Sequence, residues 1–108
     1  MSNGKFLEQV YAASVAGVIV DDKLVVTTAG TRVQFAANQP CRQIVITALS
    51  GNTNAVVVGG VTVVAALATR KGIPLSASQA ITIGIDNLSK LYLDSITNGE
   101  GVSYSYLL

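Results

Sequence analysis

From Ala16 onward the chain alternates apolar and polar residues, and turn-forming residues interrupt it every eight to twelve positions. Ile81, Ile83 and Ile85 alternate with Thr82, Gly84 and Asp86, and Thr31, Val33 and Phe35 alternate with Arg32 and Gln34. Side chains on a strand point to opposite faces in turn, so each segment reads as a strand with one face buried. No later stretch has the three-to-four spacing of a long helix. The chain is therefore limited to short strands packed in two layers, and the pattern predicts an all-β, jelly-roll-like β-sandwich of about eight strands.

The segments can be placed in order. Residues 18–20 and 24–28 flank Asp21-Asp22-Lys23, which reads as a hairpin turn. Residues 41–49, CRQIVITAL, are apolar on both faces in their middle, as in a central strand covered on both sides. Residues 50–54 turn the chain into Ala55–Val58, and Gly59-Gly60 turn it again into a strand over 61–68. Residues 70–75 form a polar loop that re-enters the sheet. Asn98-Gly99-Glu100-Gly101 reads as a hairpin between strands 91–96 and 102–108.

Residues 2–13 are the one candidate helix. Ser2 or Asn3 can cap it, and Phe6, Val10 and Ala13 share a side with Leu7 and Tyr11 beside them. So short a helix is marginal alone and needs a surface to lie against. The expected organisation is an N-terminal arm over residues 1–15 and a sandwich domain over 16–108. Glu8 and Gln9 interrupt the apolar run of the first twenty residues, which argues against a secretory signal. The longest uncharged stretch, 51–69, is opened by Asn52-Thr53-Asn54 and broken by Gly59-Gly60, so no membrane span is expected.

Charge narrows the function. Charged residues are 12% of the chain, about half the usual share, and the net charge is +1. That leaves no basic surplus for nucleic acid or anionic lipid. A small protein has much surface per residue, so a shortage of charge points to subunit contacts that cover part of it. There is no histidine, which removes Ser-His and Cys-His catalysis and the imidazole metal sites. The single cysteine, Cys41, has no partner for a disulfide or a redox pair and reads as a small buried hydrophobe.

Other chemistry is sparse. Asp21-Asp22 lack the spacing of a calcium loop, and Asp86, Asn87 and Asp94 form a calcium site only if their strands converge. Ser89-Lys90 are adjacent in sequence and do not face each other on a strand. Gly59-Gly60 and Gly99-Glu100-Gly101 do not lead into helices, as a phosphate loop requires. Arg70-Lys71 with Arg32 and Arg42 form either a basic spot or ordinary loop charges. Tyr104 and Tyr106 share a face of the last strand, and Tyr92 comes from the strand before. Three such rings can pack a core or a subunit interface, or stack on sugars. No catalytic, cofactor or metal site is expected.

Taken together, GTRVQFAANQPCRQIVITALSGNTNAVVVGG, GIPLSASQAITIGIDNLSKLYLDS and GEGVSYSYLL resemble a small all-β module of tailed-bacteriophage virion proteins. The shared features are a Pro-Cys strand start, a G-N-T turn before V-x-V-G-G, a G-I-P-L loop, an I-D-N-L link to L-Y-L-D, and a G-E-x-V-x-Y-x-Y ending. The resemblance covers residues 29–108 and implies a non-enzymatic structural protein of the virion. The module occurs in head decoration, fibre and tail-associated proteins. The expectation drawn from it is a head decoration, or cement, protein made in the host cytoplasm. It would bind the capsid surface as a homotrimer and contact the major capsid protein or another virion protein. Phe6, Leu7, Val10 and Tyr11 are the expected anchors of the arm, with Tyr104 and Tyr106 as further interface candidates. The alternative is a tail or fibre module that recognises host glycans through Tyr92, Tyr104 and Tyr106.

Overall fold

The computed structural model describes residues 17–108. Eight strands follow one another: β1 (Ile19–Val26), β2 (Val33–Gln34), β3 (Gln43–Ala48), β4 (Val56–Gly59), β5 (Ile73–Leu75), β6 (Ala80–Gly84), β7 (Tyr92–Ser95) and β8 (Glu100–Leu107). They form two four-stranded antiparallel sheets, β1-β8-β3-β6 and β2-β7-β4-β5. Strand 1 thus pairs with 8, 2 with 7, 3 with 6 and 4 with 5, as in one long hairpin folded over itself. This is the jelly-roll arrangement, and the fold is the all-β sandwich expected. The arm expected over residues 1–15 lies outside the described residues.

The core lies between the sheets. On β3, Ile44, Ile46 and Ala48 point inward while Gln43 and Val45 point out, the alternation that a one-sided strand requires. Val26 and Val102 join them from the same sheet, and Val56, Val58 and Leu93 meet them from the other. Burying one such side chain contributes roughly 1.5–3 kcal/mol. A second, smaller core lies outside the β2-β7-β4-β5 sheet. There residues 60–72 fold back over β4, so that Val63 and Ala65 cover Val57, with Tyr92 and Ile96 at the margin.

Four local expectations are corrected. Asp21-Asp22-Lys23 do not turn. β1 runs straight through them, opposite Ser105, Tyr104 and Ser103 of β8, because a full-length partner strand outweighs local turn preference. β3 is central in its sheet but open on one face, and Val45 is exposed. The strand covered on both faces is β4, with Val56, Val57 and Val58 all buried. Residues 61–68 are not a strand. They carry one bridge, Val64 to Lys71, and lead into a 3-10 turn at Leu67–Thr69. Finally, 98–101 do not close a hairpin within one sheet. β7 and β8 lie in different sheets, and Gly99, at φ +81°, carries the chain across between them.

Polar groups then fix the loops. Glu100, at the start of β8, is buried and turns its carboxylate to the 50–54 turn. It accepts from the Thr53 N–H, the Thr53 hydroxyl at 2.8 Å and the Asn54 N–H at 3.2 Å. Asn52 clamps the neighbouring residue, giving its side-chain N–H to the Gly101 carbonyl at 2.9 Å and accepting from the Gly101 N–H at 3.3 Å. Gly101 itself must lack a side chain, since a Cβ there would overlap the Leu24 carbonyl of β1.

Candidate interaction surface

The two outer faces of the sandwich differ. That of β2-β7-β4-β5 is covered by the 60–72 excursion, whereas among the described residues nothing covers that of β1-β8-β3-β6. Register sets its rows: Ile19, Leu107, Gln43 and Gly84; then Asp21, Ser105, Val45 and Thr82; then Lys23, Ser103, Thr47 and Ala80. Among the described strands β1 alone brings charge to this face, as Asp21 and Lys23, and Asp21 is engaged by the Ser105 hydroxyl. Across β8, β3 and β6 the face is built of small, hydroxyl, amide and aliphatic side chains. Ile19 at 63% and Val45 at 37% are exposed large hydrophobics on this face.

A shallow groove crosses this face, lined by Ile19, Gln43, Val45, Ser105, Tyr106 and Leu107. It holds about 180 Å³, less than the roughly 300–1,000 Å³ of sites that enclose small molecules. None of the side chains that register places on this face of it, Ile19, Gln43, Val45, Ser105 and Leu107, is titratable. Such a surface suits contact with another protein better than chemistry on a bound substrate.

The sequence-derived candidates fall in different places. Tyr104 is buried between the sheets, its ring edge-on to Phe35 at 5.1 Å, and burial pushes its phenol pKa up. Tyr106 is half-buried, stacks on Tyr104 at 6.1 Å and, opposite Ile44, packs against the rim of the same core. Tyr92 lies beyond the other sheet, against the small outer core. The three rings therefore form no common platform for a sugar. Phe6, Leu7, Val10 and Tyr11 lie outside the described residues. The groove residues Ile19, Gln43, Val45 and Leu107 were not legible as a site, because they come from three strands far apart in sequence and only register brings them together.

The ionisable groups hold structure. Asp94 is buried and accepts from the Ala65 N–H at 2.8 Å, pinning the 60–72 excursion to β7. Arg70 gives its Nε–H to the Ala65 carbonyl, and Arg32 donates to the Val61 carbonyl, so two of the four basic residues considered as a patch secure this loop. Asp86 pairs with Lys90 at 2.8 Å, and that hydrogen bond holds its carboxyl pKa low. Asn87 accepts from the Gln39 and Ser89 N–H groups. Asp86, Asn87 and Asp94 thus have separate partners, and no cluster of metal-ligating side chains occurs among the described residues. Cys41, expected to be buried, is half-buried at the rim of the core; desolvation, and secondarily Asp86, raises its thiol pKa, while its Sγ–H donates to the Ile85 carbonyl at 3.2 Å.

No protein-family model matches the chain, and no curated protein matches it. Among solved structures, a chain of the Bacillus endospore appendages, described as a novel family of disulfide-linked pili, is similar at a TM-score of 0.41. The two share 16% sequence identity over 85% of this chain and 90% of that one. A likeness this distant transfers neither assembly nor function.

Proposed function

We propose that the chain is a non-enzymatic structural protein of a tailed-phage particle, a head decoration protein that binds the outside of the capsid and ties neighbouring subunits together. The observation that carries this reading is the open outer face of β1-β8-β3-β6, which presents aliphatic and neutral side chains across three strands. The resemblance of residues 29–108 to virion modules supports the same reading. So does the low charge, which a surface covered by subunits requires less of. The described chain enters β1 at the groove, where Ile19 lies opposite Leu107. In this reading Phe6, Leu7, Val10 and Tyr11, which lie outside the described residues, are the further anchors to the major capsid protein or another virion protein.

The test is to label particles purified from the strain that encodes the chain with gold-conjugated antibody. Label distributed over heads is the expected result. Label confined to tails or fibres favours the alternative address, and particles free of the protein overturn the virion reading.

A further inference from the structure

The sandwich has four edge strands, and three are guarded. β1 carries Asp21, Asp22 and Lys23 in succession, β2 is two residues long, and β5 is three residues long with Pro74 at its centre. Charge, brevity and proline are the usual protections of an exposed edge. β6 has none of them. It is five residues long, Ala80-Ile81-Thr82-Ile83-Gly84, and among the described residues it pairs with β3 alone.

The free side of β6 can be assigned atom by atom. The Ile85 N–H donates to the Arg42 carbonyl at 3.3 Å, and the Ala48 N–H donates to the Gln79 carbonyl at 2.9 Å. Odd-numbered residues therefore spend their backbone groups on β3. In an antiparallel ladder this alternates, so the N–H and C=O groups of Ala80, Thr82 and Gly84 point away from the sheet. On the inner side, Ile81 and Ile83 pack against the core yet remain half exposed at its rim.

We infer that β6 is a self-association edge, at which a second copy of this chain pairs its own β6 antiparallel about Thr82. The strand is its own complement. Thr82 meets Thr82 of the second copy, Ile81 meets Ile83, and Ala80 meets Gly84, with no charge brought against like charge. Threonine pairs and β-branched pairs are favourable cross-strand neighbours. The pairing satisfies the three free residues on each strand with up to about six ladder bonds. It also buries the exposed halves of Ile81 and Ile83 against their counterparts. The two four-stranded sheets become one of eight strands, and their open outer faces become one surface. A twofold contact of this kind differs from the trimer expected from the sequence. It does not depend on the virion reading, which particle labelling tests separately.

The experiment compares full-length wild type with Thr82→Lys by sedimentation equilibrium and by amide exchange. Thr82 points outward and its side chain supports no core contact, so the variant keeps the wild-type near-ultraviolet circular dichroism. Two lysines then face each other across the twofold axis, and dissociation becomes at least roughly tenfold easier. Within the wild-type pair the Thr82 and Gly84 amides exchange slowly, and in the variant they exchange as freely as an open edge. Equal masses for the two proteins overturn the inference. So does fast exchange at Thr82 in the assembled wild type, which stands even if the variant fails to fold.

Discussion

Glu100 and Thr53, 47 positions apart, are joined through one carboxylate oxygen, which accepts both the backbone N–H and the hydroxyl of Thr53. These bonds, the Thr53 N–H foremost, hold the Glu100 carboxyl below its ordinary pKa. A lowered folded-state pKa means that the stabilisation is complete above the unfolded value, near 4.3, and is lost as pH falls through the folded value. Wild type should therefore lose thermal stability on acidification below about pH 4.3. Glu100→Gln, whose single acceptor oxygen cannot serve the Thr53 and Asn54 N–H groups together, should melt lower at pH 7 and show a flatter acid limb. Melting curves between neutral and acid pH check both.

Asp94→Ala removes the acceptor that pins the 60–72 excursion. The Ala65 N–H is then left without its partner in a buried position, at a cost of about 1–3 kcal/mol. Exchange at the Ala65 amide should accelerate while the Ile44 and Ile46 amides in β3 keep their protection.

Neighbouring residues on β3 should answer oppositely to truncation. Ile46→Ala empties volume between the sheets and should lower stability by about 2–5 kcal/mol. Val45→Ala, on the open face, should change it by less than about 0.5 kcal/mol. Urea unfolding of the two variants measures the difference. Near-equal effects would mean that the outer face is not open.

Deletion of residues 1–15 should leave the sandwich folded, because every core residue named above lies at or beyond Val26. The same deletion should abolish binding to particles that lack the protein. A truncated chain that still decorates them removes the arm from the contact.

The sequence made the strands legible wherever alternation is strict, as in Ile81 and Ile83 against Thr82 and Gly84. It misled where a distant partner decides. Asp21-Asp22-Lys23 have the composition of a turn, but β8, more than eighty positions later, offers a full-length ladder that holds them extended. Val61–Ala68 have the composition of a strand, yet Asp94 takes the Ala65 N–H and folds the segment over Val57 as a lid on the sheet. Tyr92 and Tyr104 read alike in sequence. They part because β7 and β8 cross between sheets, which places one ring outside and the other in the core. The interaction surface was hardest to foresee, since an open face is defined by the loop that covers the opposite sheet and leaves this one bare.

Self-association through the β6 edge is the centre of this account, and the solution mass of the full-length protein tests it most directly. Light scattering over a hundredfold range of concentration should give a mass of about twice the 11.1 kDa chain, holding down to the dissociation constant of the pair. A mass of one chain at every concentration would contradict it.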